Sequence, residues 1–191
     1  MRSLPVLILC ALLWPTHALA ADPVVEMNTS LGAIRIELYA DQAPKTVANF
    51  LQYVKDRFYD GLVFHRVIDG FMIQGGGYTP DLRQRPGTRA PIENEAGNGL
   101  KNRVGTIAMA RTSDPNSATA QFFINVADNP FLDFREATTA GYGYAVFGKV
   151  ASGMEVVMRI AHTPAGSGGP FAKDVPRRPV VIESVQLVPG K

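Results

Sequence analysis

From Phe64 to Gly76 the chain reads Phe-His-Arg-Val-Ile-Asp-Gly-Phe-Met-Ile-Gln-Gly-Gly, which sets a guanidinium, Arg66, and a carboxamide, Gln74, among large apolar side chains. Period-two alternation along such a run buries part of it, so hydrogen-bonding groups come to stand within apolar surface. Met109-Ala110-Arg111 and Gln121-Phe122-Phe123-Ile124 repeat the mixture. Other groupings fail on their chemistry. No Lys-Ser/Thr follows Gly75-Gly76-Gly77 to hold a nucleotide phosphate and its Mg²⁺, so a tight, backbone-exposing turn is the reading. Glu93 and Glu95 are spaced to share one strand face, as an acid/base pair for sugar hydrolysis would require. They stand in a Pro/Asn/Gly loop, where solvated or turn-bonding roles prevail. Neither His65 nor His162 has a His or Cys at metal-ligand spacing, so no metal site is expected. Ser117, His65 and Asp114 can be written as a triad, but no strained nucleophile elbow surrounds Ser117.

The elements that must position these groups are mostly short strands. Val24 to Met27 and Ala33 to Leu38 flank a Thr29-Ser30-Leu31-Gly32 turn, with Ile34, Ile36 and Leu38 alternating, which predicts an opening hairpin with one buried face. Pro44 sits at a first helical turn with Asp41 as a cap candidate, and Val47, Phe50, Leu51, Val54 and Phe58 recur at helical spacing, predicting a helix of about 13–15 residues. A second helix starts near Ser152-Gly153, carries Met154, Val157, Ile160 and Ala161 on one side and stops before Thr163-Pro164. The other apolar runs are short: Val63 to Ile68, Phe71 to Ile73, Thr106 to Ala110, Phe122 to Val126, Ala145 to Val150 and Val180 to Val188. Many short strands with only two helices favour a closed antiparallel barrel or a sandwich over a parallel α/β sheet.

Composition narrows the partners. At 191 residues the chain has room for one domain, its net charge of +2 supplies no excess for nucleic acid or an anionic membrane, and 46% hydrophobic residues fit a globular core. Arg2, the apolar run from Leu4 to Trp14 and Ala18-Leu19-Ala20 follow the order of a cleavable secretory signal peptide, expected to cover residues 1–20. That run is well short of the roughly 20 apolar residues that span a bilayer, so no permanent membrane anchor is expected. Residues 21–191 would then form a single domain without Cys or Trp, since Cys10 and Trp14 are the only ones. A monomer is expected, because no heptad seam is visible. Taken singly, Phe71, Met72, Phe123 and Leu132 read as core, Arg66 as a strand residue in a surface ion pair, and Gln74 and Gln121 as partners for barrel backbone.

Taken together, the ordered motifs from Phe64 to Gly76, Met109 to Arg111, Gln121 to Ile124 and Val146-Phe147-Gly148-Lys149-Val150 closely resemble the cyclophilin family of peptidyl-prolyl cis/trans isomerases, from about Val24 to Leu187. The resemblance implies an all-β fold, a closed eight-stranded antiparallel β-barrel capped by two α-helices, with the site on the barrel's outer face. It matches the family's catalytic Arg to Arg66 and its pocket to Phe71, Met72, Gln74, Ala110, Gln121, Phe123 and Leu132. It further implies proline-containing polypeptides as partners, no cofactor, and, with the signal peptide, the exported, periplasmic bacterial branch.

The chemistry fits those residue types. An X-Pro bond is held planar by delocalisation of the nitrogen lone pair, and the twisted transition state returns that pair to nitrogen as an acceptor absent from both ground states. A fixed donor aimed there stabilises only the transition state, which is what raises a rate. A guanidinium, always charged and rigidly forked, suits the role, here Arg66. Phe71, Met72, Phe123 and Leu132 would receive the proline ring, Gln74 would hold the substrate carbonyl or Arg66, and the backbone around Ala110 and Arg111 would align the peptide. His65 falls on the opposite strand face from Arg66 and is left out. Eukaryotic relatives carry Trp where this chain has Phe131, His where it has Tyr144, and many carry Asn where it has Arg111. Phe131 lacks the indole donor that cyclosporin contacts, so weak cyclosporin binding is expected, while Phe131 and Tyr144 keep aromatic walls. A non-catalytic module or holdase gripping proline-containing chains would use the same groove, and would differ in giving no rate enhancement.

Overall fold

The computed structural model describes residues 22–189, so the expected signal peptide, with Cys10 and Trp14, lies outside the described residues. The opening hairpin forms as its alternation requires: β1 (Val24–Thr29) pairs in antiparallel register with β2 (Gly32–Leu38), and Met27, Ile34, Ile36 and Leu38 are fully buried. Next comes α1 (Pro44–Lys55), with Pro44 at the first position, where a missing N–H costs nothing. At 12 residues it is shorter than the spacing predicts, because Phe58 reaches the core from the turn that follows the helix. Asp41 is not its cap. Ala43 occupies that position without a side-chain bond, and Glu95, from a distant loop, accepts from the Lys45 and Thr46 backbone N–H groups at 3.1 and 2.8 Å and from the Thr46 hydroxyl at 2.7 Å.

The run from Val63 to Ile68 divides into β3 (Leu62–Val63) and β4 (Arg66–Ile68), followed by β5 (Met72–Gly75), β6 (Thr106–Met109), β7 (Phe122–Asn125) and β8 (Val146–Ser152). Then come α2 (Met154–Ala161), β9 (Ala165–Gly168), β10 (Phe171–Pro176) and β11 (Val181–Val188). Glu155 in the first turn of α2 and Arg159 in its last suit the helix dipole, and Val156, Val157, Ile160 and Ala161 bury its inner face. Nine strands form one antiparallel sheet in the order β3-β11-β1-β2-β8-β6-β7-β5-β4, while β9 and β10 make a separate hairpin.

The molecule is thus mostly β with two helices, as expected, but the ladder differs from a closed eight-stranded barrel. It has nine members, and among the described residues no ladder joins its two ends, β3 and β4. The reason is local. One extended segment faces β11 through Leu62 and Val63 and β5 through Arg66 to Ile68, and is interrupted at Phe64-His65, so what crosses the seam is the chain itself.

Two apolar layers explain why the central strands carry large residues at successive positions. Ile73, Ile107, Phe122, Ile124 and Phe147 point to the main core, where Phe50 of α1 meets Tyr59, Phe122 and Phe147 at ring separations of 5.2, 5.9 and 5.3 Å. Met72, Ala108, Phe123 and Val146, one residue out of phase, form a second cluster on the other face of the same strands. Burying each large side chain stabilises the fold by about 1.5–3 kcal/mol. The second layer matters most for function, because it is the floor of a cleft.

Candidate functional site

Met72, on β5, and Phe123, on β7, face each other's strands through the register Met72–Asn125 and Gln74–Phe123, while Arg66 on β4 lies opposite Gln74. The two ladders therefore set a guanidinium, a carboxamide, a thioether and a phenyl ring side by side. Phe71, Ala110, Arg111, Leu132 and Tyr144 complete a cleft of about 130 Å³. Nine of the residues singled out from sequence thus meet in one place. It lies on the face opposite the main core, against the second apolar layer. A larger groove of about 570 Å³ runs between α1 and β11 past Leu51, Val54 and Val185, but none of the singled-out residues lines it.

Two residues stand apart from the expected lining. Phe131 is 64% exposed, in a short 3₁₀ turn (Pro130–Leu132), and stacks on Phe71 at 5.6 Å, so it backs the cleft's edge and does not wall it. Gln121 lies behind the lining and accepts a hydrogen bond at 3.0 Å from the Gln74 side-chain amide. Gln74 is therefore engaged with Gln121, where Arg66 or a carbonyl was the expected partner.

The two guanidiniums of the cleft differ in their freedom. Arg111 donates to the carbonyls of Gly143 and Thr112, both at 2.9 Å, and lies over the Tyr144 ring at 4.6 Å. The Gly143 carbonyl also accepts from the Asn94 side chain, and Gly143, at φ +68°, has backbone 2.6 Å from where a Cβ would stand, so this corner admits only glycine. Arg66 makes no side-chain hydrogen bond among the described residues. Its charged neighbour is Asp174 of β10, with Nε 3.8 Å from Oδ2.

A buried amide network holds the apolar walls, and sequence reasoning missed it. Asn129 donates to the Phe71 carbonyl at 3.0 Å and to Asn125 at 2.8 Å, Asn125 donates to Asn102 and Thr106, and Asn102 donates to the Leu132 carbonyl at 3.1 Å. All three asparagines are buried, so each bond left unmade would cost the desolvation of its group. The signal available was a set of Asn residues, which read as turn formers when only neighbouring residues are considered.

The remaining candidates are accounted for structurally. His65 is enclosed beside Tyr78 and Phe171, at ring separations of 4.5 and 5.5 Å, and its Nδ1 has no partner. Burial, reinforced by the charge of Arg66 and opposed by a hydrogen bond with the Val63 backbone, lowers its pKa to about 4. The Ser117 hydroxyl donates to the Asp114 backbone carbonyl and accepts from Thr112, so no triad forms. Glu93 pairs with Lys45 while Glu95 caps α1, so the two carboxylates do not act as an acid/base pair.

Comparison with known proteins gives the family. Residues 24–187 match the family described as cyclophilin type peptidyl-prolyl cis-trans isomerase. A peptidyl-prolyl cis-trans isomerase of Streptomyces antibioticus is 58% identical over 86% of this chain and 98% of its own. Peptidyl-prolyl cis-trans isomerase B of Escherichia coli is 53% identical over 86% of this chain and 99% of its own. The crystal structure of a cyclophilin type isomerase from Cryptosporidium parvum superposes with a TM-score of 0.72 at 26% identity, covering 89% of this chain and 99% of that one. Another, determined in the presence of the dipeptide Ala-Pro, gives 0.70 at 27% identity, covering 87% and 99%.

Proposed function

The chain belongs to the cyclophilin-type peptidyl-prolyl cis-trans isomerases, and on that premise we propose that Arg66 is the donor by which it speeds rotation about X-Pro bonds in exported polypeptides. The uncatalysed bond turns over in tens to hundreds of seconds because planarity protects it, so an enzyme need only favour the twisted form. The proline ring enters between Phe71, Met72, Phe123 and Leu132, where aromatic and thioether surface accepts it without any reactive group. As the bond twists, nitrogen becomes pyramidal and takes a hydrogen bond from Arg66. Gln74, steadied by Gln121, is left to align the substrate carbonyl, and the strand end at Ala110 aligns the residues before proline. No covalent bond is made or broken.

The observation that carries this reading is the contrast between the cleft's two guanidiniums: Arg111 is committed to carbonyls and to Tyr144, whereas Arg66, which lines the cleft, has no side-chain hydrogen bond among the described residues and meets Asp174 only through Nε. The experiment is cis/trans exchange of a short X-Pro peptide. Arg66→Ala, losing a charged hydrogen bond in the transition state alone, lowers kcat/KM about ten- to a hundredfold, corresponding to about 1.5–3 kcal/mol. Undiminished exchange would reassign the donor. A holdase would show the same peptide affinity with no acceleration in either protein. The order of residues 1–20 supports clients outside the cytoplasm, a reading that fractionation, with amino-terminal sequencing for a start at Ala21, tests directly.

A further inference from the structure

We propose that Asp174 is a positioning residue that holds Arg66 over the cleft, an assignment that rests on Arg66 being the donor. Its carboxylate lies 3.8 Å from Arg66 Nε, beyond hydrogen-bond length but within ion-pair range. The contact falls on the inner nitrogen of the guanidinium, which anchors the fork by its stem and leaves the two terminal nitrogens for substrate. Asp174 is the more enclosed partner, its side chain 21% exposed against 41% for Arg66, and no second cation pairs with it among the described residues.

The backbone at Asp174 accounts for the direction of its carboxylate. Asp174 adopts φ +69°, one of three non-glycine residues at positive φ among those described. Such a conformation is disfavoured for side-chain-bearing residues, though Asp and Asn tolerate it best. It occurs where the β9–β10 ladder loses register between Phe171 and Val175. A bulge of this kind re-aims a side chain, and here it turns the carboxylate toward β4.

Asp174→Asn keeps the shape and the tolerance of positive φ while removing the charge. It should lower kcat for an X-Pro peptide about two- to fivefold, the range of a partly exposed ion pair, with KM and the unfolding midpoint unchanged. In an Arg66→Ala background the same change should have no further effect. Independently of activity, ¹⁵N relaxation at Arg66 Nε should report a more mobile guanidinium in Asp174→Asn. Equal losses in both backgrounds, or an Arg66 Nε as ordered in the variant as in the parent, would overturn the proposal. If the parent protein gave no exchange, the assignment of the donor would fall, while the relaxation measurement would still decide whether Asp174 holds Arg66.

Discussion

Replacing Gly77 by alanine would put a methyl carbon 2.6 Å from the Gln121 side chain, closer than such atoms approach. Gln121 would have to move, and with it the 3.0 Å bond from Gln74. Gly77→Ala should therefore cost about 1–3 kcal/mol of stability, read as a lower denaturant midpoint, and should also reduce peptide exchange in the protein that remains folded. The triple glycine, read from sequence as a tight turn, is the end of β5 at Gly75 followed by a bend at Gly76-Gly77. Its tighter requirement was not legible, because Gly77 and Gln121 meet only once β5 is laid beside β7. Asp174 was hidden for a similar reason: between Lys173 and Val175 it reads as one more solvated carboxylate, and only the bulge in β10 turns it toward Arg66.

Single elements carry their own dependencies, and α1 shows one. Its first turn is closed by Glu95, which stands 49 residues beyond Thr46 in sequence and accepts two backbone N–H groups and a hydroxyl. Glu95→Ala should lower stability by about 1–2 kcal/mol, the value of a lost helix cap, and thermal unfolding should register it while KM for an X-Pro peptide stays unchanged. The helix itself was plain from the spacing of Val47, Phe50 and Val54, since that periodicity is local. Its cap was not, because a long-range carboxylate leaves no local mark and Asp41 offered a plausible neighbour. The β9–β10 hairpin was equally hidden: Ala165-Gly166-Ser167-Gly168 has neither the branched side chains nor the alternation that mark a strand. The out-of-phase cluster of Met72, Ala108, Phe123 and Val146 was visible only as mixed apolar runs, since which face each residue takes depends on the register of four strands.

The molecule as a whole carries a buried base that ties its stability to pH. His65 is neutral in the fold, with its pKa lowered to about 4 by burial against an ordinary value near 6.5. Protons bind the unfolded chain first, so the stability is complete above the ordinary value and drains away as pH falls toward the folded one. Unfolding free energy should drop by about 3 kcal/mol between about pH 7 and about pH 4 from this residue alone. Urea titrations across that range check it, and His65→Phe, which fills the space between Tyr78 and Phe171 without titrating, should flatten the dependence.

The strand order also sets a clock. β11 lies between β3 and β1, where Val188 faces Val24 and Ile182 and Val185 complete the main core. β1 pairs at once with β2, but its other edge waits for a strand made after every other described element, and contacts so distant in sequence slow folding. A nascent chain short of Val181 has one edge of β1 open and a core missing Ile182 and Val185, so its sheet stays unclosed on that side during synthesis. On the export route proposed above, that delay is useful, because a chain that has not yet closed its sheet can still be threaded through a membrane channel and fold on the far side.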